Sequence, residues 1–448
     1  MTSLDAAFDP KRNSLNALRL VLAVLVIVSH AWIIGGYGYP PAIMGVDIGM
    51  FAVCGFFAIS GYLIARSRLS ATPAISATPA GRAAPPHLGR VSRPSQADLQ
   101  TEPQPGSKDR PAVVSTRAQK ARARLDQRKF PAGRAAPPHL GRVSRPSQAD
   151  LETRPDLETR PDLEGRHALA AFLFRRFLRI YPAFLTVLIV TAVIFAPLST
   201  LLAPTDTPAP SYPSAASYVF ANLSLHITQW SIDGTLLTAR IPTWNIPLWS
   251  LVFEALCYLA LGVLASVVPR RFFTHVTVAL FAALTLAALL TTDGRTAGFT
   301  DNLLALGAFF FAGVVLYLFR RRMPSSAPIA LIAAGVVLLV LALGYFKPLA
   351  AFPLAYLLLY LGAVLPLHRI GARNDISYGL YIYGFPVQQL LLLATQGLWA
   401  SDTGEPMPVA LFATLSVLAT IPFALASWFL IERPALSLKR FAPRPTRR

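Results

Sequence analysis

The chain has 448 residues, of which 54% are hydrophobic and only 14% are charged, and its mean hydropathy is +0.49. A soluble protein carries roughly 25% charged residues, so this composition excludes a soluble globular protein and predicts lipid as the solvent for most of the chain. The Lys and Arg residues behind the net charge of +19 are confined to particular loops, which argues against nucleic acid as a partner. The two cysteines, Cys54 and Cys257, fall inside apolar runs and indicate neither a disulfide nor a metal site. We therefore expect an all-α polytopic protein of the cell membrane.

Ten apolar runs are long enough to form membrane-spanning helices, because crossing about 30 Å of hydrocarbon takes roughly 20 helical residues. They lie at residues 16–34, 46–66, 178–202, 247–268, 274–291, 302–319, 327–345, 349–367, 377–397 and 408–431. This pattern divides the chain into a first pair of spans (1–66), a long connection (67–166), eight further spans (167–434) and a basic tail (435–448).

Charges in the connections predict the orientation of the spans, since cytoplasmic connections carry an excess of Lys and Arg. If ten spans cross the bilayer alternately, the basic groups all fall on one side. These groups are Lys11 and Arg12, the long connection after Arg66, Arg270 and Arg271, Arg320 to Arg322, Arg369 and Arg373, and the tail from Lys439. The sequence therefore predicts that both termini are cytoplasmic.

The connection between the second and third spans has the composition of a disordered segment. Residues 66–166 are rich in Pro, Ala, Ser, Arg and Gln and carry 19 Lys and Arg against 10 Asp and Glu. The sequence of residues 79–99 recurs without change at residues 131–151. Because the repeated unit lacks an apolar face on which copies would stack, we interpret it as low-complexity expansion and not as a solenoid.

His30 is embedded in the first apolar run, about one turn from its end. An ionisable side chain inside a bilayer costs free energy, so each one is a functional candidate unless it reaches an interface. Arg19 lies eleven residues earlier, which is three helical turns plus about 20°, so the two side chains share one face of the helix about 16 Å apart. Alone, Arg19 also fits a positive-inside anchor and His30 a hydrogen bond between helices. Together they favour a catalytic site, in which Asp47 either orients the imidazole or simply caps the second helix.

Three arginines and a glutamate extend this set of candidates. Arg175, Arg176 and Arg179 lie at the start of the third span, where they fit either positive-inside anchors or the phosphates of a donor such as coenzyme A. Glu254 lies about two turns into the fourth span, and a carboxylate there must be paired, protonated or facing water. We interpret Glu254 as a site residue or a residue that supports the site.

Small, hydroxyl-bearing and aromatic residues form a further group within the spans. Small residues let helices approach closely, hydroxyls hydrogen-bond between helices, and tryptophans often lie at the membrane interface, so packing explains most of the group. Its members are Ser60, Gly61, Trp249, Ser250, Tyr378 and Tyr381.

Six short motifs, in order along the chain, together resemble acyltransferase family 3 of the membrane-bound O-acyltransferases. They are Arg19-x10-His30, FF-x-x-SG-x-LI at 56–64, RR-x-x-R-x-x-P at 175–182, W-S-L-x-x-E at 249–254, SYGLYIY at 377–383 and E-R-P at 432–434. The resemblance covers the chain except for the long connection. One position departs from the family pattern, because relatives often carry a histidine where Gly384 stands.

The resemblance implies acyl-CoA as a co-substrate bound from the cytoplasm, no bound cofactor, and an acceptor hydroxyl, often on a glycan, at or beyond the outer leaflet. It also implies that His30 is catalytic, that Arg19 is its motif partner, and that Arg176 and Arg179 lie at the donor. We therefore expect an enzyme that transfers an acyl group, such as acetyl, to a polysaccharide or a related acceptor of the cell envelope.

A transporter or flippase is the alternative class, with His30 and Glu254 as a proton relay. Transporters usually consist of two related halves, and spans one to five show no similarity to spans six to ten. A membrane anchor that displays the basic connection is a third class. In that case, deleting the connection would abolish function while replacing His30 would not.

Overall fold

The chain folds into a bundle of helices in a computed structural model that describes residues 2–9, 12–69, 160–203, 209–291, 298–400 and 407–442. Within these residues the only strands are Ala42–Ile43 and Val46–Asp47, which pair antiparallel between the first two long helices. The all-α class predicted from the sequence is confirmed for this part of the chain. Both copies of the repeat, and most of the connection predicted to be disordered, lie outside the described residues.

The helices follow the apolar runs of the sequence. The α-helices are α1 (Leu4–Ala7), α2 (Leu15–Gly35), α3 (Ile48–Leu69), α4 (Arg160–Val190), α5 (Ala196–Leu202), α6 (Tyr212–Ala221), α7 (Leu251–Val267), α8 (Arg270–Leu290), α9 (Phe299–Phe319), α10 (Ala327–Ala342), α11 (Phe346–Leu349), α12 (Ala351–Val364), α13 (Ser377–Ala400), α14 (Val409–Ala426) and α15 (Arg433–Ser437). Thr191–Phe195 and Ser427–Glu432 are π-helical, and Ile246–Ser250 and Leu438–Phe441 are 3₁₀ helices.

Seven helical segments of the described chain are long and apolar enough to cross a membrane, with mean hydropathies of 2.0 to 2.4. They are Leu15–Gly35, Ile48–Leu69, Ala168–Leu202, Ile246–Val267, Arg270–Leu290, Phe299–Phe319 and Val409–Phe441.

The remaining predicted spans are also helical, but two of them are short. α10 and α12 have 16 and 14 residues, or about 24 and 21 Å, against about 30 Å of hydrocarbon. α10 ends just before Gly344, whose φ of 77° is left-handed, and α12 ends at an extended residue before Pro366. The count of ten crossings and the side on which the termini lie stay predictions.

Contacts between helix termini define two ends of the bundle. At the basic end, Arg320 Nε donates to Asp5 Oδ1 at 2.9 Å, and Arg68 Nη2 donates to Ser266 Oγ at 3.0 Å. The 3₁₀ helix Leu438–Phe441 packs on α4 at the same end. The first and last described helical segments therefore lie at one end of the bundle.

The opposite end is formed by the loops between helices. There, Arg240 Nη1 donates to the Gly36 carbonyl at 3.4 Å, and the Tyr37 hydroxyl donates to the Met407 carbonyl. The described residues between α5 and α7, 209–250, include the short α6, lie at this end and are held by hydrogen bonds of Asn222 and Gln229. The helices thus run alternately between a basic end and an end with few positive charges.

The contact between α3 and α9 is the most extensive between any two helices of the described chain. A Cβ at Gly61 would overlap the carbonyl oxygen of Phe310, and a Cβ at Gly313 would overlap the carbonyl oxygen of Ala58. Glycines on both helices therefore let the two backbones touch, as small residues do in membrane helix pairs. This contact fixes α3 as one wall of the site described below.

We expect Gly61→Ala to lower the midpoint of thermal unfolding of the detergent-solubilised protein. The added methyl group forces α3 away from α9, and overpacking of this kind costs about 1–3 kcal/mol. Gly335→Ala in α10 is the matched control, because a Cβ there meets no atom of the described residues within 4 Å outside its own helix backbone. An unchanged midpoint in Gly61→Ala, or an equal fall in the control, would contradict the close contact.

Candidate active site

A cavity of about 330 Å³ lies between α2, α3, α4, α7 and the start of α13. Most of the site residues predicted from the sequence line it, although they come from distant parts of the chain. The predicted residues on its wall are Arg19, Ser60, Arg175, Arg176, Arg179, Ser250, Glu254, Tyr378 and Tyr381. The other predicted residues, His30, Asp47, Gly61 and Trp249, do not line this cavity.

Asp375 joins three helices at the wall of the cavity. Its Oδ2 accepts hydrogen bonds from Arg19 Nη1 at 2.6 Å and Arg179 Nη2 at 2.7 Å, while its Oδ1 accepts from Ser377 Oγ at 2.6 Å. Arg179 Nη1 also reaches Glu432 Oε2 at 3.5 Å. Burial raises the pKa of the Asp375 carboxyl, but the charges of Arg19 and Arg179 outweigh it and hold that pKa below its ordinary value. Asp375 is therefore an ionised bridge between α2 and α4.

Glu254 is a second carboxylate on the cavity wall, and its surroundings differ from those of Asp375. It accepts hydrogen bonds from the Tyr258 hydroxyl and, at 3.4 Å, from Ser60 Oγ. In the part of the chain that the structure describes, no basic nitrogen lies within 4.0 Å of it. The carboxylate is thus held by hydroxyls, faces the cavity, and interacts with Arg176 only at longer range.

The tyrosines of α13 are anchored while they line the cavity. The Tyr378 hydroxyl donates to the Ile180 carbonyl at 2.9 Å, and the Tyr381 hydroxyl donates to the Pro247 carbonyl at 2.7 Å. Ser250 Oγ lies 2.5 Å from the same Tyr381 hydroxyl. These contacts tie α13 to α4 and to the 3₁₀ turn before α7, which gives the cavity a fixed shape.

A π-helical stretch, Ser427–Glu432, completes the wall at the end of α14. It aims Trp428 at the cavity, where its Nε1 donates to Asn374 Oδ1 at 3.2 Å. It also buries Glu432 beside Arg179, with Ser427 Oγ donating to the carboxylate at 3.0 Å. Local π-helices often occur at functional sites, and this one supplies both an aromatic wall and a counter-charge.

His30 lies one helical turn beyond the cavity. Its half-buried ring meets the ring of Phe385 edge to face, with centroids 5.2 Å apart. Tyr381 lines the cavity, and Phe385 follows it by four residues, or about 6 Å along α13. The imidazole therefore lies toward the opposite end of the bundle from the arginines.

α2 and α13 run side by side in the same direction. Arg19 pairs with Asp375 just before α13, and Gln388 Nε2 donates to the Ile27 carbonyl at 2.9 Å farther along. Arg19 contacts Asp375 just before α13, and His30 contacts Phe385 within α13. Both side chains therefore lie on the face of α2 that packs on α13. A Cβ at Gly384 would lie 2.7 Å from Ile27 Cγ1, so a larger side chain there would require Ile27 to move.

Asp47 lies at the start of α3, near the level of His30. It accepts hydrogen bonds from Ser29 Oγ at 2.6 Å and from the backbone amides of Gly49 at 3.1 Å and Met50 at 3.3 Å. These amide contacts are those of a helix N-cap. Its charge also acts on His30, but its role in orienting the imidazole stays a prediction.

A family model described as an acyltransferase domain, that of acyltransferase family 3, matches residues 12–79 and 162–429. The chain belongs to acyltransferase family 3. The unmatched residues 80–161 contain nearly all of the repeat-bearing connection, which is therefore an insertion in this acyltransferase. No match was found among curated proteins or among solved structures. Together with the seven apolar helices, the family match makes the protein a membrane acyltransferase.

The acyltransferase cavity also contains residues that the sequence analysis did not single out as site residues. Asp375, Tyr258, Trp428 and Lys439 line it, and Glu432 pairs with Arg179 behind it. Asp375 stands two residues before the SYGLYIY motif and Glu432 opens the E-R-P motif, so both lay within sequence signals of the family. Neither signal identifies the arginines as their partners.

Proposed function

We propose that the protein is an integral membrane O-acyltransferase that moves an acyl group, such as acetyl, from acyl-CoA to a hydroxyl of a cell-surface glycan or a related acceptor. His30 is its catalytic residue, ten helices cross the membrane, and both termini are cytoplasmic. The observation that carries the proposal is the cavity in which Arg19, Arg175, Arg176 and Arg179 meet Glu254, in a chain of the acyltransferase family.

The charge of the cavity supports a phosphate-bearing donor that enters from the basic end. Guanidinium groups bind phosphate oxygens through paired hydrogen bonds, and Arg175 and Arg176 lie where α4 meets that end. The wall beyond them is formed by Phe56, Tyr378 and Tyr381 and suits the less polar arm of an acyl thioester. The donor would thus lie with its phosphates at the basic end and its thioester pointing toward His30.

His30 supplies the base for the chemical step. The neutral imidazole takes the proton of the acceptor hydroxyl while the oxygen attacks the thioester carbonyl carbon. A carbon–oxygen bond forms, the carbon–sulfur bond breaks, and the departing thiolate takes the proton from the imidazolium. In a two-step variant the imidazole itself receives the acyl group and then passes it to the acceptor. The position of His30 between the cavity and the opposite end supports either route.

Transfer of label from radioactive acetyl-CoA to envelope glycan should depend on the protein. We expect membranes that contain it to form labelled glycan and free coenzyme A in equal amounts, while membranes without it form neither. Mass spectrometry of surface glycans from cells with and without the gene identifies the acceptor as the glycan that loses an acyl mass. Movement of a substrate across the membrane without consumption of thioester would instead support the transporter alternative.

A further inference from the structure

Lys439, which lies near the end of the described residues, lines the cavity. It belongs to the 3₁₀ helix Leu438–Phe441, which packs on α4 beside Arg175 and Arg176. Its neighbour Leu436 also lines the cavity. From sequence alone this region is only a basic tail, whereas the side chains of Leu436 and Lys439 form part of the cavity wall.

The cations of the cavity fall into two groups. Arg19 and Arg179 are neutralised by Asp375 and Glu432. Around Arg175, Arg176 and Lys439, no carboxylate oxygen lies within 4.0 Å in the described ranges of the chain. These three residues form the uncompensated cluster, in which Arg176 interacts with Glu254 only at longer range.

The positive charges of the uncompensated cluster repel one another. Lys439 lies within electrostatic range of Arg176, Arg179 and Arg175, and like charges so close together disfavour one another. A bound anion removes that cost, and a multivalent anion removes it for several cations at once.

The guanidinium group of Arg176 is only partly hydrogen-bonded within the described part of the chain. Its guanidinium packs over the Phe172 ring at 5.7 Å, and its Nη2 donates to Ser67 Oγ at 3.2 Å. Among the residues that the structure describes, none accepts a hydrogen bond from its buried Nε. A buried donor without a partner is unfavourable, so an acceptor oxygen on a bound ligand would lower its free energy.

We propose that Lys439 is a donor-binding residue that holds phosphate groups of the acyl donor together with Arg175 and Arg176. Arg179, whose charge is already met by two carboxylates, is instead a positioning residue that maintains the wall with Arg19 and Asp375. This assignment rests on the proposed function, because it takes coenzyme A as the source of the phosphates. It gives the 3₁₀ helix Leu438–Phe441 a role in substrate binding.

Calorimetric titration of the purified protein in detergent with coenzyme A tests the assignment without requiring turnover. We expect Lys439→Gln to raise the dissociation constant about tenfold, because one charge-assisted contact to phosphate is lost. Lys439→Arg should restore most of the affinity. Arg440→Gln is the matched control on the same 3₁₀ helix, since Arg440 packs on Phe441 and does not line the cavity.

The outcomes separate this inference from the proposed function. If the unaltered protein binds no coenzyme A, both are overturned. If it binds coenzyme A and Lys439→Gln binds equally well, or if Arg440→Gln weakens binding as much, the assignment of Lys439 fails and the proposed function stands. Titration with phosphatidylglycerol in mixed micelles tests a lipid as the source of phosphate. Loss of lipid binding in Lys439→Gln with unchanged affinity for coenzyme A would also overturn the assignment.

Discussion

Replacing His30 with alanine should abolish acyl transfer while the protein is still made and inserted in the membrane. A positioned general base contributes about 10²–10⁴-fold to a rate, and loss of an acyl-accepting nucleophile costs at least as much. Because His30 does not line the cavity, we expect its removal to leave the affinity for coenzyme A unchanged. The measurements are the initial rate of transfer and the calorimetric affinity, made on the same preparation.

His226→Ala provides a matched control for this substitution. His226 meets the ring of Phe299 edge to face at 5.7 Å, which is close to the contact that His30 makes with Phe385, but it lies outside the spans at the opposite end. Both variants lose an aromatic contact, so any effect of that loss should be similar in the two. Only His30→Ala should also lose the rate of acyl transfer. Transfer that persists in His30→Ala, with the control also active, would remove His30 from the mechanism.

Removing the charge of Asp375 should lower stability more than Gly61→Ala does. Asp375→Asn leaves Arg19 and Arg179 facing each other with one carboxylate fewer, and breaking a buried ion pair in this way costs about 3–5 kcal/mol. The side chains are 16–19% exposed, so solvent only partly offsets the loss. We expect a much lower thermal midpoint and little activity at physiological temperature.

Asp5→Asn is the control, since Asp5 pairs with Arg320 and Arg321 at the surface and is 40% exposed. Exposed pairs contribute about 0–1 kcal/mol, so the midpoint should hardly move. Equal midpoints for Asp375→Asn and the unaltered protein would mean that the bridge between α2 and α4 is not needed for the fold.

The difference in stability between the unaltered protein and Asp375→Asn should depend on pH, because folding lowers the pKa of the Asp375 carboxyl. Burial raises that pKa, but Arg19 and Arg179 outweigh burial and place it below the ordinary value. A carboxyl whose pKa is lowered by folding contributes full stability above its ordinary pKa of about 4, and that contribution is lost as the pH falls through the folded value. The difference in the free energy of unfolding between the unaltered protein and Asp375→Asn should thus be constant near neutral pH and become smaller only in acid.

The sequence predicts the membrane class well because hydropathy depends only on local composition. Each predicted apolar run coincides with helical structure, and the shared face of Arg19 and His30 follows from helical periodicity alone. The short α10 and α12 depart from the prediction because Gly344 and Pro366 end them early. Apolar residues beyond those stops extend the hydropathy signal but not the helix.

The pairing of charges is not predictable in this way. Asp375 lies 356 residues from Arg19 and close to Arg369 and Arg373, so local sequence places it in an ordinary basic loop. Only the packing of α2 against α13 brings the two together. Likewise, periodicity shows which face His30 occupies, but the depth at which the cavity ends depends on side chains from other helices, such as Tyr381.

Because one turn of α13 separates Tyr381 from Phe385, an acyl thioester that stops at Tyr381 lies about one helical turn short of the imidazole. Water that follows the donor in from the basic end meets the carboxylate of Glu254 there, which hydroxyl groups hold and which is ordinarily a weaker base than an imidazole. We therefore expect spontaneous hydrolysis of bound donor to be slow while no acceptor is present. A cell would then lose little activated acyl group to an idle enzyme.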